Sequence, residues 1–221
     1  MDEGSNTVSR RFKVGVMPMT DGVLFPGVTL PLHVFEHPHQ LMIQELEKQG
    51  WPLAISLVIP QKEKGFRLNE ICGAGKFQVS HVYSDGHKDI LIHGKERIRL
   101  RGFIQTEPYC VMEAESLSIE PALGASLTRS FEEFRALIKG WIFLNPTISD
   151  NRTLEFDTFH SYGELTDFFV YHFLKKVREK QDYLNCMDPL KRAERLARYL
   201  ESDLCRQGKK TVLHRKYELI H

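Results

Sequence analysis

Hydrophobic and polar positions alternate in short runs through the first half of this chain, and recur at three- to four-residue spacing through the second. The change falls near Pro121. Within Leu24–Glu36 (LFPGVTLPLHVFE), Leu30, Leu32 and Val34 fall on one side of an extended segment, with Thr29, His33 and Phe35 on the other. Pro31 cannot donate to a ladder, so this strand is expected at a sheet edge or a bulge. Gln40–Gln49 predicts a helix stopped by Gly50, and the continuously apolar centre of Trp51–Pro60 predicts a buried strand. Gln61–Asn69 is charged and reads as an exposed loop. Ile71–Tyr83 and Lys88–His93 flank Asp85-Gly86, a hairpin signal. Arg97–Ile104 alternates most regularly, with Ile98, Leu100, Gly102 and Ile104 on one face and Arg97, Arg99, Arg101 and Phe103 on the other. Gln105–Pro108 turns the chain and Tyr109–Leu117 returns.

The second half predicts three helices. Ser130–Glu133 and Ser161–Glu164 both match a capping box, and Asp188-Pro189 places an N-cap residue before a first-turn proline. The stripes are Leu127, Phe131, Phe134, Ile138 and Trp141; Leu165, Phe168, Phe169, His172, Phe173 and Val177; and Ala193, Leu196, Ala197, Leu200 and Leu204. The fold class is therefore α+β. A mostly antiparallel, closed or half-closed barrel with one helix is expected over residues 10–120, a helical subdomain over 121–205 and a basic tail over 206–221.

Composition adds little to this. At 221 residues, 42% hydrophobic and 27% charged with a net charge of +1, the chain matches a soluble globular protein, and no nucleic-acid or anionic-membrane partner is expected. The polar start MDEGSNTVSRRF lacks an apolar secretory segment and no run approaches a membrane span, so a cytoplasmic location is expected. Cys72, Cys110, Cys186 and Cys205 are scattered, without metal-site spacing, and read as reduced thiols.

Several short motifs, in order, resemble the LON substrate-binding domain, the N-terminal domain of Lon proteases. They are LFPGVTLPLHVFE, the apolar strand Trp51–Val58, the Gly-containing strand Ile71–Val82, Asp85-Gly86 before Ile90–Gly94, and Lys95–Leu100 against a Gly-x-x-Arg-Phe-x-Leu signature. Pro108-Tyr109 and the Asp188-Pro189 helix complete the resemblance, which runs from about Val16 to Leu204. It implies a PUA-like pseudo-barrel with a C-terminal three-helix subdomain, and a binding role for polypeptide. His37-Pro38-His39 stands where the family has Pro-Arg-Tyr. The 221 residues leave no room for the family's ATPase and peptidase modules, so a non-catalytic protein is expected. Gly73-Ala74-Gly75-Lys76 only superficially matches a phosphate-binding loop, because Glu70 occupies the first glycine position and Phe77 replaces the Ser/Thr.

No catalytic residue, metal site or cofactor is assigned. No nucleophile elbow is present, and His33, His37 and His39 read as a strand-face residue and a solvated turn around Pro38 rather than metal ligands. Among the aromatics Phe25, Phe35, Trp51, Phe66 and Phe103, the surface candidates are Phe66 and Phe103. Together with Leu30, Leu32 and Phe35 on the edge strand, they form the candidate polypeptide-binding set, the strand accepting a peptide by β-addition. Arg97, Arg99 and Arg101, spaced roughly 6.5 Å apart on a strand, are the candidate anion-binding set. The preferred reading pairs them across a hairpin, Glu113 opposite Arg99 and Glu115 opposite Arg97. The leading function is a non-catalytic polypeptide- or protein-binding module, such as an adaptor in protein quality control serving a protease system. An RNA- or anion-binding PUA-like module is the alternative, and a small-molecule hydrolase without a visible motif is a third.

Overall fold

Arg11–Met19 (β1) opens the fold, and none of the expected elements covers it. Its centre, Val14 to Met17, is buried because the strand lies between two others: parallel to Leu53–Gln61 (β3) and antiparallel to Val111–Ser116 (β7). The computed structural model describes residues 10–61, 65–117, 129–145 and 156–208. Thr29–Val34 (β2), Gly65–Leu68 (β4), Ile71–Val82 (β5) and Lys88–Gln105 (β6) complete the sheet. The pairings β1–β7–β6–β5–β3–β1 return on themselves, which gives the pseudo-barrel; β2 pairs with β6 and β4 with β3. All pairings except β1–β3 are antiparallel. Gly86, with φ +90°, supplies the left-handed residue of the β5–β6 turn.

Two hydrophobic clusters lie on the two faces of these strands, which is why the central runs are apolar without interruption. Leu53 and Ile55 of β3 join Ile90 and Ile92 of β6 in one cluster, with Met42, Ile43 and Leu46 of the helix His37–Gln49 (α1). Ala54 joins Val14, Val16, Cys72, Ile98 and Leu100 in the other. Ile92 and Ile98 are an even number of residues apart yet serve opposite clusters. One extra residue resolves this: Gly75 pairs with Gly94 and Ala74 with Glu96, so Lys95 is bulged out and the strand changes face.

Three expectations are corrected here. Helix α1 begins three residues early, with Pro38 in its first turn, where a proline's missing N–H costs nothing; His37-Pro38-His39 is helix rather than turn. Gly65–Leu68 is a strand paired with Val58–Gln61, not a loop. The two runs Lys88–His93 and Arg97–Ile104 are one strand.

Contact density divides the chain into two units, Met1–Ser118 with Leu174–Asn185, and Ile119–Phe173 with Cys186–His221. The second contains Phe131–Phe143 (α2), Tyr162–Phe173 (α3) and Pro189–Arg206 (α5). Ser130 and Glu133 form the reciprocal capping box, Ser161 Oγ accepts from the Glu164 N–H at 3.2 Å, and Asp188 caps α5 through the Leu190 and Lys191 N–H groups. The stripe expected to run on to Val177 instead breaks after Phe173. Val177–Asn185 (α4) is a separate helix and groups with the strand unit. Gln181 Nε2 donates to the Ile71 carbonyl at 2.8 Å and Arg97 Nε to the Leu184 carbonyl at 3.0 Å. Leu127 and most of the basic tail lie outside the described residues.

Candidate functional site

Two hydrophobic clusters form the interior of the strand unit, and its exposed large apolar side chains fall in three places. At the first, β2 pairs with β6 along one side, and among the described residues no strand pairs with its other side. Leu30 and Leu32 turn inward and pack on the core, leaving Thr29, Pro31 and His33 outward. Of the edge-strand candidates, only Phe35 presents its side chain, 57% exposed. Its ring stacks on His33 at 6.2 Å and meets His87 edge-on at 6.4 Å. His33 Nδ1 and the Tyr83 hydroxyl each lie 2.7 Å from an oxygen of Asp89. The hydrogen bonds from His33 and then Tyr83 hold the Asp89 carboxyl below its ordinary value. This His-Tyr-Asp platform was not expected, because His33 of β2 lies 56 residues from Asp89 of β6, which it meets beside the β5–β6 turn carrying Tyr83.

Phe66 marks the second place. It stands opposite Pro60 in the β3–β4 hairpin and is 59% exposed. Beside the same end of β3 is a cleft of about 450 Å³, its apolar wall formed by Leu57, Val58, Ile59 and Pro60, its polar wall by Arg178, Gln181 and Asp182 of α4. Phe103 marks the third, 62% exposed. Between Leu100, opposite Ala114, and Gln105, opposite Val111, β6 carries two more residues than β7. That double irregularity turns both Phe103 and Ile104 to solvent, so Ile104 leaves the buried face expected for it. No ring contact joins Phe35, Phe66 and Phe103. They are separate patches.

The arginine row divides. Arg97 is fully buried, its guanidinium 5.8 Å from the Phe25 ring, so it belongs to the interior and not to a surface anion site. Arg99 stands opposite Glu115, not Glu113, a two-residue shift of the expected register. Both Arg99 and Arg101 ion-pair with Glu115, while Glu113 pairs with Arg11 at 3.9 Å. The Arg101 hydrogen bond, with further attraction from Arg101, Arg99 and Arg11, holds the Glu115 carboxyl below its ordinary 4.5. A depressed carboxyl stabilises the fold above its unfolded value and loses that contribution as pH falls through the folded one. Glu115→Gln is therefore expected to be less stable than the parent at neutral pH. In urea titrations the difference should shrink below pH 4.5, and a gap unchanged down to pH 3 would contradict the pairing.

The histidines near Glu36 do not converge. His39 Nδ1 lies 3.1 Å from Glu36, His33 faces Asp89, and among the described residues no three His, Cys, Asp or Glu side chains could share a metal. The four cysteines are free thiols; burial pushes the Cys72 thiol far up and the Cys110 thiol up, whereas Cys205 is exposed. Native thiol labelling is expected to modify Cys205 first and Cys72 only after unfolding. Labelling of Cys72 at the rate of Cys205 would contradict this burial.

Among the described residues, no helix is long and apolar enough to cross a membrane. A family model described as the ATP-dependent protease La (LON) substrate-binding domain matches residues 13–202. The Lon protease of Cytophaga hutchinsonii is 25% identical over 209 residues, covering 91% of this chain and 25% of that protein. Lon protease 3 of Sorangium cellulosum is 21% identical, covering 92% of this chain and 25% of that protein. The chain thus spans about a quarter of the length of these relatives. Among solved structures, the N-terminal domain of the Mycobacterium avium complex Lon protease aligns with a TM-score of 0.63 at 16% identity, covering 87% of this chain and 99% of that one. A Lon N-terminal domain protein from Xanthomonas campestris aligns at 0.58 and 18%, covering 84% and 96%. At such identities the structural likeness concerns the fold.

Proposed function

Because the chain belongs to the family of ATP-dependent protease La (LON) substrate-binding domains, we propose that it binds extended or unfolded polypeptide, without catalysing a reaction on it. The carrying observation is the exposure of Phe35, Phe66 and Phe103, each more than half open to solvent. Aromatic anchors beside a concave surface are what a sequence-tolerant polypeptide binder requires, since they contribute apolar contact at little rotamer cost. Phe66 beside the cleft between β3 and α4 is the principal anchor, and Phe103 the second. The open edge of β2 adds main-chain pairing, with Phe35 as its side-chain contact; Leu30 and Leu32 hold the strand to the core from below.

The RNA- or anion-binding alternative through Arg97, Arg99 and Arg101 has less support, since the first is interior and the other two are matched by Glu115. Service to a protease system as an adaptor is the fitting context for such a module.

Phe66→Ser is expected to weaken binding of a permanently unfolded, labelled polypeptide about tenfold, the equivalent of ~1.4 kcal/mol. Far-ultraviolet circular dichroism should be unchanged, because the ring is already in solvent. Parent-like affinity in both Phe66→Ser and Phe103→Ser would remove the proposed anchors.

A further inference from the structure

The four-cation groove at the Lys95 bulge is not used by the aromatic surface just described. It encloses about 250 Å³ and is bordered by the start of β1, the α1–β3 turn and the middle of β5 and β6. Arg10, Lys13, Lys76 and Lys95 line it against a single carboxylate, Glu96, and among the described residues none of the four cations forms an ion pair. Two half-buried aromatics complete the lining. Lys13 Nζ lies 5.1 Å from the Trp51 ring centroid, and the Arg10 guanidinium 5.8 Å from that of Phe12.

The backbone explains why these charges share a place. At Gly75 a Cβ would lie 1.8 Å from the His93 carbonyl oxygen, so β5 and β6 approach here as only glycine allows. The bulge then inserts Lys95 as the extra residue of β6, while Lys76 follows Gly75 on β5. Bulges re-aim side chains in this way beside functional sites. Cations gathered with one counter-charge repel one another until an anion joins them, and half-buried rings lower the local dielectric that screens them.

We propose that this groove binds a short acidic stretch of polypeptide, its carboxylates meeting Lys13, Lys76, Lys95 and Arg10 and an apolar side chain resting on Trp51 and Phe12. The proposal rests on the polypeptide-binding reading and names a preferred class of segment. A nucleic-acid strand suits the groove less well. Arg11, the next cation along β1, is already paired with Glu113 at 3.9 Å, and a polyphosphate backbone needs a wider cationic track.

The test is fluorescence anisotropy with three labelled probes titrated into the full chain: an acidic peptide with one Leu, its Gln/Asn counterpart, and single-stranded RNA. The parent is expected to bind the acidic peptide about tenfold more tightly than the neutral one, the preference fading at high salt. The double variant Lys76→Gln, Lys95→Gln changes two exposed side chains and is expected to erase that preference. Equal binding of the two peptides, a preference that survives in the double variant, or RNA binding tighter than the acidic peptide would each overturn the assignment. An unfolded polypeptide without acidic runs separates the two readings. If it binds through Phe66 while the acidic peptide shows no preference, only the groove assignment falls; if neither binds, both fall.

Discussion

Asp167→Asn is expected to destabilise the helical unit by about 3–5 kcal/mol, the largest loss foreseen for any single polar substitution in this chain. Asp167 and Arg192 are buried side by side, with Arg192 Nε 3.2 Å from Asp167 Oδ1. The same guanidinium donates through Nη1 to the Cys186 and Met187 carbonyls at 2.7 and 2.9 Å. It thereby ties the segment before α5 to α3. The amide keeps the shape but removes the negative charge from beside a buried cation. Replacing both residues by apolar ones of similar volume is expected to recover much of the loss, because the desolvation of both charges disappears together. Urea denaturation of the single and double variants checks this. A single variant within about 1 kcal/mol of the parent would mean that the pair carries no such weight.

Arg97→Met is expected to cost about 2–4 kcal/mol, from the unpaired Leu184 carbonyl and the lost cation–ring contact with Phe25. It should also loosen α4, since Arg97 and Gln181 together anchor that helix to β6 and β5. Hydrogen exchange at the α4 amides is expected to accelerate before that of β5 and β6. Binding at the neighbouring cleft should weaken even though Arg97 does not line it. Arg101→Met is the control: its own side chain is exposed and Glu115 keeps Arg99 as a partner, so its cost should be the smaller of the two. Equal costs for the two substitutions would show that Arg97 is no anchor.

Arg97 also shows where the sequence stops being readable. Alternation put it in a row with Arg99 and Arg101, but its acceptor lies 87 residues away, and no local pattern announces that a strand arginine will be roofed by a helix. Strand β1 escaped notice for a related reason: buried on both faces, Val14–Met17 has no period-two signature. Strand β4 is short and polar, and exists because β3 offers it a partner rather than through its own propensity. The Lys95 bulge is invisible in one dimension, although it decides which face of β6 each later residue takes.

What was legible rests on chemistry confined to a few residues. The capping boxes at Ser130 and Ser161, the Asp188-Pro189 start and the Asp85-Gly86 turn all specify backbone hydrogen bonds locally. Phe66 and Phe103 were readable as surface residues because their neighbours are polar. Alternation set Phe35 on the opposite side from Leu30 and Leu32 but did not say which side faces solvent, so Leu30 and Leu32 read as binding candidates alongside it. The groove around Lys95 was not readable, since three separate stretches, the start of β1, β5 and β6, bring its cations together.

The proposed function has this chain hold unfolded polypeptide on exposed aromatic side chains. Titrating the protein into a labelled, permanently unfolded polypeptide, at low and high salt and beside a folded control, tests it most directly. Saturable binding that largely survives high salt and is absent for the folded control is the expected result. Absence of binding at either salt, or equal binding of the folded control, would contradict it.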